Sequence, residues 1–242
     1  MWAVVASNYR ISHFISQIIR PIIDQAEEPS TSTEDLLSRI EHVNENEDIE
    51  DCVIGSMDVK ALYPMIDIEF SVDRCAEMIF ESNVEFKNID VEEVGLYLAL
   101  TVDRDKLIDA GLEKFCPTRK TSRGRPPTIT GSGVNDNKEK RWKPWEPSVE
   151  KPNMEEQRKM VCYALGVTMK TTLKNHIFRF HDQIRKQKNG GAIGVKAAGD
   201  IATLFMVWWD REFKKMVLDE GIDMKLYTRY VDDENIVCKA LP

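Results

Sequence analysis

Apolar residues fall at Ile11, Phe14, Ile15, Ile18, Ile19, Ile22 and Ile23, three and four positions apart. That spacing predicts an amphipathic helix capped near Ser7 or Asn8. Pro21 is expected to kink it, because proline removes a backbone donor and crowds the turn before it. A second helix is predicted through Leu36, Leu37 and Ile40, with Ser32 and Asp35 forming its cap. Residues 52–59 are rich in apolar and β-prone side chains and read as a buried strand, with Asp58 near its carboxyl end. Helices are expected at about 69–82 and 90–103. From 116 to 152 prolines and glycines accumulate and periodicity is lost, which predicts a long loop. Helical spacing resumes over 154–174, and residues 177–180 with 184–187 suggest a hairpin. Residues 196–220 predict a helix with Ile201, Leu204, Phe205, Trp208 and Met216 on its core side and Gly221 as its C-terminal cap. The runs 224–231 and 235–238 flank Asp232 and Asp233, a pattern of strand, tight turn and strand.

This order of strands and helices predicts an α+β fold, an antiparallel sheet backed by helices. The 242 residues, 42% hydrophobic, can bury the core of one large soluble domain or two small lobes. No apolar run approaches the ~20 residues needed to cross a bilayer, so no membrane role is expected. The amino terminus lacks the basic flank of a secretory signal. Five cysteines, without a Cys-x-x-Cys pair, indicate a reducing intracellular setting and argue against zinc. They do not separate nucleus from cytoplasm.

Net charge is −8, but it is segregated. Between Glu27 and Asp51 ten acidic residues face one basic residue, Arg39. From Glu113 to Lys143 nine basic residues face three acidic ones, and from Lys170 to Lys196 seven face one. Phosphate backbones are gripped by local basic surface, so these runs leave nucleic-acid binding open despite the acidic total. Trp142 and Trp145 near the first run are candidate stacking faces. A solvated surface explains each run equally well.

The adjacent carboxylates Asp232 and Asp233 are the candidate chemistry. Such neighbours repel unless a cation lies between them, and magnesium is held by one or two carboxylates together with substrate phosphates. Asp also favours exposed turns with no function. A third carboxylate at the end of a strand, Asp58, shifts the balance towards chemistry.

Asp58-Val-Lys-Ala-Leu-Tyr63 resembles motif A of reverse transcriptases, an Asp followed five positions later by an aromatic residue. Tyr230-Val-Asp-Asp233 resembles their motif C, and Gly190-Gly-Ala-Ile-Gly194 before a long helix resembles motif B, in the family's order. The segment from Ala3 to Ser12, with Phe178-Arg-Phe180 and Gln187, is similar to Penelope-like and related retroelement polymerases. The resemblance implies a right-hand polymerase palm with partial fingers and no thumb. Its divisions are a fingers segment over 1–50, a first palm part over 51–115, a basic Pro-rich loop over 116–152 and the rest of the palm over 153–242.

The implied activity is RNA-directed DNA polymerisation on an RNA template, with a DNA primer and deoxynucleoside triphosphates. Two magnesium ions, or manganese in their place, are implied between Asp58 and Asp232, with the Val59 carbonyl as a further ligand and Asp233 secondary. Tyr63 is implied to lie beneath the incoming sugar and reject a 2′-hydroxyl. Lys60, Ala61 and Leu62 would offer amides to the triphosphate, and Gln187, Gly191 and Gly194 would approach the nascent pair. There are departures. Ile193-Gly-Val-Lys196 replaces the usual residues of motif B, and Met1-Trp2 stands where Arg-Pro is expected. The chain stops soon after the hairpin, so a fragment of a longer polymerase or a degenerate gene product is expected. Two alternatives stay open: a catalytically inactive nucleic-acid-binding remnant and an RNA-directed RNA polymerase.

Overall fold

A computed structural model describes residues 6–86, 89–119, 145–191 and 195–240, which divide into two compact units. One contains the described residues up to Glu85 and those from Thr168 onward; the other is Phe86–Val167. In chain order the first half carries α1 (Ala6–Ile23), α2 (Thr33–Asn46), β1 (Cys52–Asp58), α3 (Leu62–Met65), α4 (Ile68–Glu81), α5 (Val91–Thr101), α6 (Arg104–Asp109) and β2 (Thr118–Arg119). The second half carries β3 (Trp145–Glu146), α7 (Met154–Lys174), β4 (Ile177–Phe180), β5 (Gln183–Lys186), α8 (Lys196–Asp219), β6 (Met224–Tyr230) and β7 (Asp233–Lys239). Helices and a small antiparallel sheet make this an α+β protein.

In the first unit the helix starts follow from short polar side chains that accept otherwise unpaired amides. Ser32 accepts from the Asp35 amide at 3.2 Å, and Asp67 accepts from the Phe70 amide at 2.9 Å. The long α8 has no cap of its own, since Val195 stands at its N-cap. Ser12 of α1 supplies one across space, accepting from the Ala197 amide at 2.8 Å. α8 packs against α1 and α4, whose buried residues include Ile15, Ile19, Val72 and Ile79. Arg20 of α1 also pairs with Asp200 of α8 at 2.9 Å.

The sheet of this unit has the order β1-β7-β6, antiparallel throughout. Residues Glu28 to Ser30 lie along the outer side of β6, where Arg229 donates its amide to Glu28 O at 3.1 Å and Ser30 donates to Arg229 O at 2.8 Å. A second hairpin, β4–β5, precedes α8.

Two expectations fail here. β1 is not a buried strand, for it forms the sheet edge and Val53 and Ile54 are 55% and 82% exposed. An apolar run signals a strand but not its place in a sheet. Met216 is half exposed near the end of α8, while Ile201 and Leu204 are buried as expected.

The second unit has its own core of Leu98, Leu107, Leu112, Phe115, Cys116, Met160 and Ala164. The single helix expected over 90–103 is shorter, because Asp103 opens a separate helix, α6. The flanks of the expected loop are paired: Thr118 lies opposite Glu146 and Arg119 opposite Trp145. The rest of the basic run, from Lys120 to Lys143, lies outside the described residues, as do Trp142 and the N-terminal segment up to Val5. All five cysteines are free thiols, and burial pushes those of Cys116 and Cys162 up to about 11. Among the described residues no helix is long and apolar enough to cross a membrane.

Candidate functional site

Strand register decides where the acidic residues stand. β6 and β7 are joined by Val231 and Asp232 alone, with Tyr230 opposite Asp233. On its other side β7 pairs with β1, and Asp58 lies opposite Asp233. Val59 donates its amide to Asp232 O at 2.9 Å. That bond makes Val59 and Asp232 a hydrogen-bonded pair, so Asp58 and Asp233 form a non-hydrogen-bonded pair. In such a pair the Cα atoms are about 4.5 Å apart and the side chains share one face at closest approach. The 174 intervening positions are thus closed by two strands side by side. Like charges directly opposite each other are unfavourable. No lysine or arginine pairs with Asp58, Asp232 or Asp233 among the described residues.

The turn that carries Asp232 is itself strained. Val231 has φ 58, in the left-handed region that β-branched residues avoid. Two-residue hairpin turns need such an angle at their first position, where glycine or asparagine is the usual choice. Beneath the turn lies a buried ionic cluster. Arg229 is 1% exposed and Asp210 of α8 is fully buried. Nε of Arg229 donates to both Asp210 oxygens at 3.0 Å, and Nη1 donates to Val231 O at 2.7 Å. Nη2 lies 2.9 Å from Asp210 Oδ2 but outside hydrogen-bond alignment. The Tyr227 hydroxyl donates to Asp210 Oδ1 at 2.7 Å. Burial pushes the Asp210 carboxyl above its usual range, against the pull of the Arg229 guanidinium.

Tyr63 belongs to the short turn after β1. Ala61 has φ 55 and reverses the chain there, Lys60 is exposed, and Leu62 is buried with Ile66, Ala202 and Met206. Tyr63 packs against that cluster. Its carbonyl accepts from the Gly191 amide at 2.8 Å. The segments resembling motifs A and B therefore meet backbone to backbone. A Cβ on Gly190 would lie 2.3 Å from Tyr63 O and 2.5 Å from Pro64 O, and Gly190 also has φ +70. Gly190, not Gly191, is thus the position that requires glycine. A Cβ on Gly191 would meet only ordinary contacts at 3.4 Å. Gln187 is half-buried, and its side-chain Nε2 donates to Asn189 O at 2.9 Å in an exposed bond that braces the approach to the glycines. Gly194 lies outside the described residues.

Sequence reasoning missed Gly190, Val231, Arg229 and Asp210. A signal existed for the last two. Asp210 follows Met206 and Val207 at helical spacing, so it places a charge on the apolar stripe of α8. Arg229 lies in a β-rich run between two tyrosines, and a charge buried there demands a partner.

The donor chemistry around Asp58 and Asp233 suits a hard cation, since carboxylate oxygens are the ligands magnesium takes. Among the described residues no group of three or more His, Cys, Asp or Glu is positioned as a ready cage. Magnesium commonly uses only one or two carboxylates with waters and phosphates, which the cross-strand pair can offer.

The fold and this sheet end define an α+β domain with facing carboxylates at a hairpin tip. No protein-family profile matches the chain, and comparison with curated proteins gives no match. Among solved structures, telomerase from Candida albicans in complex with a TWJ fragment of telomeric RNA aligns with a TM-score of 0.47 and 12% identity. The alignment covers 95% of this chain and 30% of the telomerase chain, and at that level of likeness no residue role is transferred.

Proposed function

We propose that this chain is the palm, with part of the fingers, of a template-directed nucleotidyltransferase, an RNA-directed DNA polymerase of retroelement type. The register that sets Asp58 against Asp233 beside Asp232 carries the reading. In nucleotidyl transfer a primer hydroxyl attacks the α-phosphorus of a nucleoside triphosphate, a new phosphodiester bond forms, and pyrophosphate leaves. Asp58, Asp232 and Asp233 would supply the carboxylates that hold the magnesium ions, with the Val59 carbonyl as a further ligand. When bound, the metal activates the attacking oxygen and neutralises charge on the leaving one. The chain's own residues do the positioning. Tyr63, braced by Gly191 and bedded against the Leu62 cluster, would lie beneath the sugar and select deoxynucleotides by steric exclusion. The turn at Lys60, Ala61 and Leu62 would present amides to the triphosphate, an arrangement that settles anions.

Primer extension by this chain on an RNA template with a DNA primer tests the reading, with magnesium and with manganese. Incorporation that Asp58→Ala and Asp232→Ala each reduce by at least 1,000-fold is the expected result. Incorporation undiminished in those variants refutes the metal assignment. Salt-sensitive binding of an RNA–DNA hybrid with no incorporation identifies a binding remnant instead.

A further inference from the structure

We propose that Arg229 is a positioning residue for the hairpin tip, and that Asp210 of α8 is the anchor that holds it. The inference deepens the polymerase reading and rests on it for its consequence, the placement of Asp232 and Asp233.

Burying a charged pair is not an economical way to stabilise a protein. Well-packed apolar residues in its place are often neutral or stabilising by about 1–4 kcal/mol. The Arg229–Asp210 pair, at 1% and 0% exposure, therefore calls for a role beyond stability. Its geometry supplies one. Arg229 uses Nε to engage both oxygens of Asp210, which leaves Nη1 free to hold the Val231 carbonyl at 2.7 Å. Val231 is the strained residue of the turn, at φ 58. Conformations of that kind cost about 1–3 kcal/mol and persist only where the surroundings over-determine them.

The next carbonyl along the chain is pinned as well. Asp232 O accepts from the Val59 amide at 2.9 Å, which ties the turn to the strand carrying Asp58. Two consecutive peptide units are thus held from two sides, one by a buried guanidinium and one by the neighbouring strand. The Cα of Asp232 lies between these two units, so its carboxylate has a fixed base. The anchor lies on α8, whose amino end follows the glycine segment bonded to Tyr63. One helix thereby supports both the sugar-facing turn and the acidic hairpin. Lysine cannot replace this arginine, because a single ammonium lacks the planar fork that serves two acceptors in different directions.

Hydrogen–deuterium exchange and manganese titration on the full chain test the inference, comparing wild type with Arg229→Lys and Asp210→Asn. Val231→Gly serves as a variant that keeps the buried pair and relaxes only the turn. The expected result is exchange at least tenfold faster at the amides of residues 231–234 in Arg229→Lys, with α4 and α7 unchanged. Manganese should bind the same variant at least tenfold more weakly. Val231→Gly, which relieves the strain while Arg229 still holds the carbonyl of residue 231, should leave tip exchange no faster and global stability no lower than wild type. Unchanged tip exchange in Arg229→Lys overturns the proposal. So does a uniform increase through α4, α7 and the tip alike, which marks a purely structural pair. Faster exchange confined to the tip, in a wild type that binds no manganese, upholds the clamp and defeats the metal reading instead.

Discussion

Gly190→Ala tests whether the glycine segment is seated on the turn after β1. Two terms add. Alanine in the left-handed region costs about 1–2 kcal/mol. The new Cβ would lie 2.3 Å from Tyr63 O and 2.5 Å from Pro64 O, about an ångström inside ordinary contact and against backbone that cannot rotate away. Overpacking of this kind costs about 1–3 kcal/mol, so the sum is about 2–5 kcal/mol. For a chain of this size that corresponds to a fall in Tm of about 4–20 °C. Two other glycines isolate the terms. Gly221 has φ +74 and nothing within 4 Å of its Cβ position, so Gly221→Ala carries the conformational cost alone. Gly191→Ala meets only Ala198 at 3.4 Å and Leu173 at 3.7 Å, at an ordinary φ, and should lie within about 1 kcal/mol of wild type. Urea denaturation followed by circular dichroism ranks the three. If Gly190→Ala costs no more than Gly221→Ala, the two segments do not press together, and the placement of Tyr63 loses its support.

Tyr63→Ala should lower discrimination against ribonucleotides by about 10–200-fold, the range one steric contact supplies; competitive single-nucleotide incorporation measures it, and unchanged discrimination moves the sugar contact elsewhere. Glu234→Gln should raise stability at pH 7. Glu234 is 3% exposed, its Oε1 lacks a hydrogen-bond partner, and burial, then the nearby Asp210 charge, raises its pKa above the usual range. Stability of the wild type therefore declines as pH rises from the ordinary carboxylate range through the raised value, and the variant lacks that decline. A gain of about 1 kcal/mol or more at pH 7, vanishing at pH 3, is expected from melts at both pH values. Glu69→Gln should act in the opposite sense. Hydrogen bonds from Lys170, then Lys174, hold the Glu69 carboxyl down at about 2, so its contribution exists above pH 4.5 and fades as pH falls through 2. Because Glu69 is exposed, the loss at neutral pH should not exceed about 1 kcal/mol, and high salt should shrink it.

Local patterns were legible in the sequence wherever local physics determines the structure. Helical spacing from Met154 to Lys174 and the Ser32 cap read directly, as did the two strands around the acidic turn. Side-chain periodicity and turn chemistry act within a few residues, so these elements needed no tertiary information. What failed required knowledge of neighbours. The edge position of β1 depends on which strand pairs with it, and apolar residues alone do not say. The need for glycine at 190 rather than 191 comes from the carbonyls of Tyr63 and Pro64, more than a hundred residues earlier. The Arg229–Asp210 pair joins a strand to a helix, and only the fold sets one guanidinium over the other's carboxylate.

Three unfavourable features meet at one end of the sheet. Val231 occupies a backbone region suited to glycine, Asp58 faces Asp233 across a close pair, and Glu234 lies buried opposite Arg229 with an unpaired oxygen. Each has a simple remedy: a glycine in the turn, an opposite charge across the strands, an amide in the interior. A sequence answering only to stability would adopt all three, since each would lower the free energy of the fold. Their coincidence within a few residues of Asp232 points to a constraint on where those carboxylates stand. With no cation between them, Asp58 and Asp233 are held side by side against their repulsion by other contacts. The Val59 bond to Asp232 O and the Arg229 bond to Val231 O are those contacts, both made by groups that carry no acidic charge. Under the proposed function, such pre-assembly would spare the ligands from being gathered at the moment of reaction.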